Sequence, residues 1–148
     1  MTPEFPRRKS LRLPGYDYGS EGAYFVTVCT KDHVPWFRDK NIAEILEETW
    51  ERLPDRIPRI RRDAFVVMPD HIHFVLWMGD NTSTNPTVSL GEVVRHLKAV
   101  VARRVRVAGN PDFAWQRNYY EHVVRDEHDL LRIREYIRLN PEGPWGCL

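Results

Sequence analysis

His71 and His73 stand two residues apart in the segment Met68-Pro-Asp-His-Ile-His-Phe-Val-Leu-Trp77, which is rich in β-branched and aromatic residues. On a strand, alternate side chains share a face. Both imidazoles therefore point one way, while Ile72, Phe74 and Leu76 point the other way, into a core. Two imidazoles on one face can chelate a divalent ion, with further ligands drawn from elsewhere in the chain. A His-x-His pair alone is more often incidental than metal-binding. Here it opens a very apolar strand just after a Pro-Asp turn, where an unsatisfied buried polar group is costly.

The second chemical candidate is Tyr136, in Asp129-Leu-Leu-Arg-Ile-Arg-Glu-Tyr-Ile-Arg-Leu-Asn140. Leu130, Ile133 and Ile137 form an apolar helical stripe, and Arg132, Tyr136 and Asn140, spaced by four, line a neighbouring polar face. A tyrosine in that position is ordinarily a core-edge residue. Its phenol can nevertheless attack phosphorus and retain the phosphoryl group as a phosphotyrosine. An ordinary phenol has a pKa of about 10, so a metal or an arginine must stabilise the phenolate. The amide oxygen of Asn140, one turn after Tyr136, can complete a coordination shell begun by the two histidines. That arrangement requires the helix to dock on the sheet face that carries His71 and His73.

The rest of the chain supplies the elements that would position these groups. Ala23 to Thr30 is a β-branched and aromatic run and predicts a strand. Ile42, Ile45, Leu46, Trp50 and Leu53 fall at helical spacing and predict a helix from about Asn41 to Leu53, ended by Pro54 and Pro58. Arg61–Met68 and His71–Met78 read as two strands of a hairpin around Pro69-Asp70. Residues 79–87 read as loop. Val94, Leu97, Val101 and Val105 mark a second helix, Leu90 to Val107, with Ser89 as its N-cap. Trp115 to Val124 reads as a fourth strand, and Asp126 caps the tyrosine helix, with Asp129 completing an imperfect capping box. Strand, helix, two strands, helix, strand, helix predicts an α+β domain: a ferredoxin-like antiparallel sheet with two helices on one face and a third helix near the other.

The chain of 148 residues fits one domain. We read residues 1–20, rich in Arg, Pro, Gly and Tyr, as a basic N-terminal arm and 21–148 as a single catalytic domain. Cys29 and Cys147 form no ligand spacing and suggest reduced thiols in a cytoplasmic setting. No N-terminal run resembles a signal peptide, and no stretch has the length and apolarity of a membrane span. Net charge is only +1, yet Arg7, Arg8, Lys9 and Arg12 cluster, as do Arg56, Arg59, Arg61 and Arg62, and Arg95, Lys98, Arg103, Arg104 and Arg106. Alone, such patches read as solvated faces; beside a phosphoryl-transfer site they can meet phosphates.

These motifs together resemble a known family. Met68-Pro-Asp-His-Ile-His-Phe-Val-Leu is similar to the His-hydrophobic-His motif of the single-tyrosine, insertion-sequence-200-like transposases, the HUH group. Trp115-Gln-Arg-Asn-Tyr-Tyr-Glu-His-Val-Val-Arg-Asp followed by Tyr136-Ile-Arg-Leu-Asn-Pro141 resembles the branch associated with repetitive extragenic palindromes. The resemblance spans residues 5 to 141 or so. It implies Mg²⁺ or Mn²⁺ held by His71, His73 and Asn140, and Tyr136 as the nucleophile. It implies cleavage and rejoining of single-stranded DNA beside a hairpin through a 5′-phosphotyrosine. Arg7, Arg8, Lys9 and Arg12 become candidates for reading a short guide sequence. Lys98 and Arg104 become candidates for the hairpin backbone, with Arg117 and Tyr119 as further DNA contacts. Tyr119 and Tyr120 do not match the nucleophile position. The chain ends soon after Pro141, where relatives often carry a Trp-containing tail, and both a homodimer and a monomer fit the pattern. The rival reading is a non-catalytic, domesticated nucleic-acid-binding protein of the same fold.

Overall fold

A computed structural model describes residues 22–78 and 88–139. Four strands, β1 (Gly22–Cys29), β2 (Ile60–Val67), β3 (His71–Met78) and β4 (Tyr120–Val123), form one sheet in the order β2-β3-β1-β4. Every pairing is antiparallel. Helices α1 (Lys40–Arg56) and α2 (Leu90–Val107) cover one face, and α3 (Glu127–Leu139) packs on the other. This is the α+β, ferredoxin-like arrangement that the order of elements predicts.

Alternation along the central strands divides the sheet's two faces. Tyr24, Val26 and Val28 of β1 and Ile72, Phe74, Leu76 and Met78 of β3 join Leu46, Trp50, Leu97 and Val101 in the larger core. Ala23, Phe25 and Val75 project to the opposite face, where Leu130, Ile133 and Ile137 of α3 bury them. His71 and His73 share β3's alternation with Val75 and therefore lie on the α3 side.

Local chemistry explains the helix ends. Asp39 caps α1 by accepting from the backbone N–H of Asn41 at 2.8 Å. Ser89 and Glu92 form the reciprocal capping box of α2. Gly109, at φ +112°, ends α2 in a left-handed residue. Its N–H reaches the Arg106 carbonyl while that of Asn110 reaches Val105, so two terminal carbonyls are satisfied.

Three expectations need correction. Pro54 does not end α1, which continues to Arg56 with Pro54 inside it. The last turn is held by the Ile57 N–H to the Leu53 carbonyl, a bond that does not involve the missing proline donor. The fourth strand does not begin at Trp115: that residue makes only an isolated bridge to Thr30, and the ladder runs from Tyr120. Of the intervening chain, the Gln116 N–H still donates to the Cys29 carbonyl of β1 at 2.8 Å, while the Lys98 ammonium takes the carbonyls of Gln116 at 2.8 Å and Arg117 at 3.3 Å. Finally, Cys29 is disulfide-bonded, and no cysteine among the described residues is a free thiol. Separation along the chain carries no information about which thiols meet in space; Cys147 lies outside the described residues. No helix of the described residues is long and apolar enough to cross a membrane.

Candidate active site

The turn that starts β3 is tied down from three directions. The Met68 N–H donates to the His71 carbonyl at 2.8 Å, closing the hairpin around Pro69-Asp70. The Thr30 N–H donates to the Asp70 carbonyl, and the Phe37 N–H donates to that of Pro69. His71 thus enters the sheet from a fixed turn, directly across from Cys29, while His73 stands across from Thr27.

Both imidazoles are buried, His71 at 6% exposure and His73 at 0%. Their ring centroids are 4.7 Å apart, and Phe25 stacks on the His73 ring at 5.5 Å. His71 Nδ1 lies 2.7 Å from the Asp70 carboxylate, and His73 Nδ1 lies 2.8 Å from the Thr27 hydroxyl. The Nε2 atoms of both rings are buried with no hydrogen-bond partner. Burial, reinforced by the neighbouring His71, pushes the His73 pKa from its ordinary 6.5 down to about 3. His73 is therefore a neutral imidazole near pH 7, the form that binds metals. Two buried, unpartnered ring nitrogens on one face suit a divalent cation, because leaving such atoms unsatisfied is otherwise costly. No group of three or more His, Cys, Asp or Glu side chains among the described residues could complete a metal shell. The expected third ligand, Asn140, is an amide and lies outside the described residues.

Helix α3 brings Tyr136 to this pair. The Tyr136 ring stands edge-on to His73 with centroids 5.6 Å apart, and edge-on to Phe25 at 6.5 Å. Two polar clamps set the helix on the sheet. Near its N-terminus, the Asp129 carboxylate pairs with His122 Nε2 of β4 at 2.9 Å and accepts from the Arg125 N–H at 3.1 Å. Arg132 donates to its other oxygen at 2.6 Å. Asp129 thus acts beyond a capping box, because it joins β4 to α3. The Asp126 carboxylate accepts from the Asp129 N–H at 2.8 Å, as a cap should.

The second clamp depends on an irregularity in β2. A bulge between Arg62 and Phe65 sets two residues, Asp63 and Ala64, against one on β3. The bulged Asp63 accepts from Trp77 Nε1 at 2.8 Å and from both Arg134 Nε and its terminal nitrogen, a two-pronged contact. Burial opposes ionisation of Asp63, but the Arg134 and Trp77 hydrogen bonds outweigh it and hold the carboxyl below its ordinary range. Both clamps grip α3 in the turns before Tyr136, at Asp129 and at Arg134, and so fix the helix that carries it.

Replacing Asp129 with Ala strands a buried histidine and loosens α3. We expect a loss of roughly 2–4 kcal/mol of stability, typical of breaking a buried polar network. Urea unfolding measures it, and a loss under about 0.5 kcal/mol would remove this clamp from the account.

The buried histidines also dictate how stability varies with pH. Burial comes first among the causes that lower the His122 pKa too, against the opposing pull of Asp129. In the unfolded chain these imidazoles titrate near 6.5, whereas His73 resists protonation down to about 3. Below pH 6.5 the unfolded state binds more protons, so stability falls on acidification and levels off above neutrality. The urea midpoint should drop between pH 7 and pH 5; a constant or rising midpoint contradicts neutral burial of these rings.

The remaining candidates are dispersed. Lys98 is half-buried and holds the 116–117 carbonyls, with burial pushing its pKa down. Arg104 reaches across to α1, donating to Glu48 at 2.6 Å and to the Thr49 hydroxyl at 3.0 Å. Arg117 is exposed and Tyr119 half-buried. They share a shallow groove along α2 with Arg95, Arg106 and Trp115. A second hollow, lined by Lys31, His33, Trp115 and Arg117, adjoins it. His33 Nδ1 lies 3.6 Å from the Asp70 carboxylate, which links this hollow to the histidine end of the hairpin. Arg7, Arg8, Lys9 and Arg12 lie outside the described residues.

Comparison with known proteins agrees with this architecture. Residues 20–140 match the family described as "Transposase IS200 like". The chain belongs to that family. This transposase is 33% identical to an uncharacterized protein of Haemophilus influenzae, over 90% of this chain and 88% of the relative. It is 26% identical to a second Haemophilus influenzae protein bearing the name "Putative REP-associated tyrosine transposase", over 84% of this chain and 73% of that one. Among solved structures, the transposase resembles a REP-associated tyrosine transposase bound to a REP hairpin, with a TM-score of 0.68 and 21% identity. That likeness covers 85% of this chain and 70% of the other. It also resembles a Deinococcus radiodurans protein described as "a putative transposase", with a TM-score of 0.57 and 24% identity over 86% of this chain and 95% of the other. At these identities the two structures attest to the fold.

Proposed function

We propose that this transposase is a single-strand DNA endonuclease and strand transferase that works through a tyrosine–phosphate ester. The observation that carries the reading is the meeting of three groups on one sheet face within a single chain. Two buried imidazoles have unpartnered Nε2 atoms, and the Tyr136 ring lies 5.6 Å from one of them.

His71 and His73 would hold Mg²⁺ or Mn²⁺, with Asn140 as the proposed third protein ligand. When bound, such an ion supplies Lewis-acid polarisation of a phosphodiester oxygen. The chain's own part is nucleophilic. The Tyr136 phenol oxygen attacks the phosphorus and forms an O–P bond. The bond from phosphorus to the 3′ oxygen breaks, and that oxygen leaves as a 3′-hydroxyl, taking up a proton equivalent to the one the phenol loses. The 5′ end stays on Tyr136 as a phosphotyrosine. Attack by a 3′-hydroxyl reverses these bonds and joins strands. One phosphodiester replaces another, so no external energy source is required. Phe25 and His73 flank the tyrosine ring and restrict its motion, which favours a productive attack geometry.

The proposed substrate is single-stranded DNA carrying a hairpin; the structural relative is described as bound to a REP hairpin. Basic and aromatic groups interleave along the α2 groove and the adjoining hollow, a combination suited to nucleic acid. Of the cations there, Lys31, Arg95, Arg106 and Arg117 are exposed, whereas Lys98 donates to backbone carbonyls; Arg104 lies outside the groove and pairs with Glu48 of α1. Lys98, Arg104, Arg117 and Tyr119 are retained as proposed DNA contacts, as are Arg7, Arg8, Lys9 and Arg12 on the arm.

The test is incubation of the protein with Mn²⁺ and 5′- or 3′-labelled hairpin oligonucleotides, resolved by denaturing electrophoresis. A labelled band at the mass of protein plus DNA, carrying the strand 3′ of the cut, is expected. Cleavage without any adduct would mean hydrolysis and would end the tyrosine proposal.

A further inference from the structure

Each histidine of the proposed metal pair has a dedicated partner on its other ring nitrogen, and the two partners differ in kind. Asp70 presents a carboxylate oxygen 2.7 Å from His71 Nδ1. Thr27, 4% exposed on the neighbouring strand, presents its hydroxyl 2.8 Å from His73 Nδ1. We propose that Asp70 and Thr27 are positioning residues that hold both imidazoles in the Nδ1–H tautomer, so that both Nε2 lone pairs face the metal position. This inference rests on the metal-site reading above.

The reasoning starts from donor and acceptor capacity. An ionised carboxylate only accepts, so a neutral His71 facing Asp70 must carry its proton on Nδ1. Its Nε2 then bears the lone pair. For His73 the hydroxyl of Thr27 can accept or donate, and the surroundings decide. If Nε2 of His73 bore the proton, a donor would be buried with no acceptor, because that atom has no partner. Placing the proton on Nδ1, toward Thr27, leaves at Nε2 a lone pair that a cation can satisfy, which a proton there could not.

The backbone makes both contacts stiff. Thr27 and His73 are directly paired across β1 and β3, so hydroxyl and ring share one face of the ladder. Asp70 lies in the turn whose carbonyl is held by the Thr30 N–H at 2.9 Å and hydroxyl at 3.1 Å. Its second oxygen faces His33 Nδ1 at 3.6 Å. Neither partner needs to move for its histidine to bind an ion.

Two readouts test the proposal in the full-length protein. Long-range ¹⁵N–¹H correlation spectra of the histidine side chains, recorded at pH 8 without metal, report each tautomer directly. Titration with Mn²⁺ alone, followed by calorimetry or electron paramagnetic resonance, reports affinity. Wild type should show Nδ1–H at both His71 and His73. Asp70→Ala should release His71 to a mixed tautomer, and Thr27→Val, which nearly keeps the threonine shape, should release His73. Each should weaken Mn²⁺ binding by on the order of 10- to 100-fold, and Thr27→Ser should restore it.

If Thr27→Val unfolds the protein, Asp70→Ala and Asp70→Asn in the more exposed turn still decide the matter for His71. An Nε2–H tautomer in wild type overturns the proposal. So does Mn²⁺ affinity within about two-fold of wild type in folded Asp70→Ala and Thr27→Val, a spread below the 10- to 100-fold expected of outer partners. Failure of wild type itself to bind Mn²⁺ defeats the metal site and these roles together, and is thereby distinguished from a failure of the positioning residues alone.

Discussion

Tyr136→Phe should abolish the covalent protein–DNA adduct and reduce strand cleavage by at least roughly 10³-fold, the scale of losing a nucleophile. The substitution removes one oxygen and leaves the ring that packs beside Phe25 and His73. Stability should therefore change little, and hairpin affinity should persist, because the proposed phosphate contacts lie elsewhere. The measurement pairs a denaturing gel for the adduct with a gel-shift assay for binding. It also separates the enzyme from a non-catalytic binder of the same fold, which would lose nothing. Full adduct formation in Tyr136→Phe would transfer the role to another tyrosine. Tyr120 is the alternative that the structure supplies, since it pairs with Thr27 and packs on the α3 side. Burial raises its pKa further above that of an ordinary phenol, which makes it the poorer nucleophile.

Loss of either histidine should have an effect of similar size by a different route. His71→Ala and His73→Gln each remove one of the two buried, unpartnered Nε2 atoms. Mn²⁺ affinity should fall further than the roughly 10- to 100-fold typical of losing an outer partner. Adduct formation should fall with it and should not return on raising the DNA concentration. The wild-type protein treated with a chelator should behave like the variants and recover on addition of Mn²⁺. His71→Ala is the cleaner experiment, because His73 also stacks on Phe25 and bonds Thr27, so its loss disturbs packing. Adduct formation that survives both substitutions, or that ignores the chelator, would remove the metal from the account.

Much of the fold was legible because it is written in local periodicity. The alternation of β3 separates His71 and His73 from Ile72, Phe74 and Leu76, and the structure keeps that division. The α2 stripe and the Ser89 cap likewise follow from rules spanning a few residues. The limits of local reading appear where partners are distant. Lys98 and Arg104 look like free cations on a helix, yet folding commits the first to the carbonyls of Gln116 and Arg117 and the second to Glu48. Trp115 to Tyr119 looks like strand from its residue types. The Gln116 N–H does reach the Cys29 carbonyl, but its own carbonyl is taken by Lys98 of α2 and the ladder begins only at Tyr120.

By itself, then, the sequence named candidate residues for chemistry, and it determined which strand presents the imidazoles and which stripe of the last helix is buried. It placed that helix on the histidine face only by assuming a shared metal site. An apolar stripe states that a helix face is covered, without naming the surface that covers it. That choice belongs to contacts between residues far apart in the chain. The β2 bulge turns Asp63 toward Arg134, and the buried His122 on β4 takes hold of Asp129. A bulge is a matter of register between two strands, and a buried histidine–carboxylate hydrogen bond forms only when both partners leave water together. Only the assembled sheet creates either condition, and with them the approach of Tyr136 to His73.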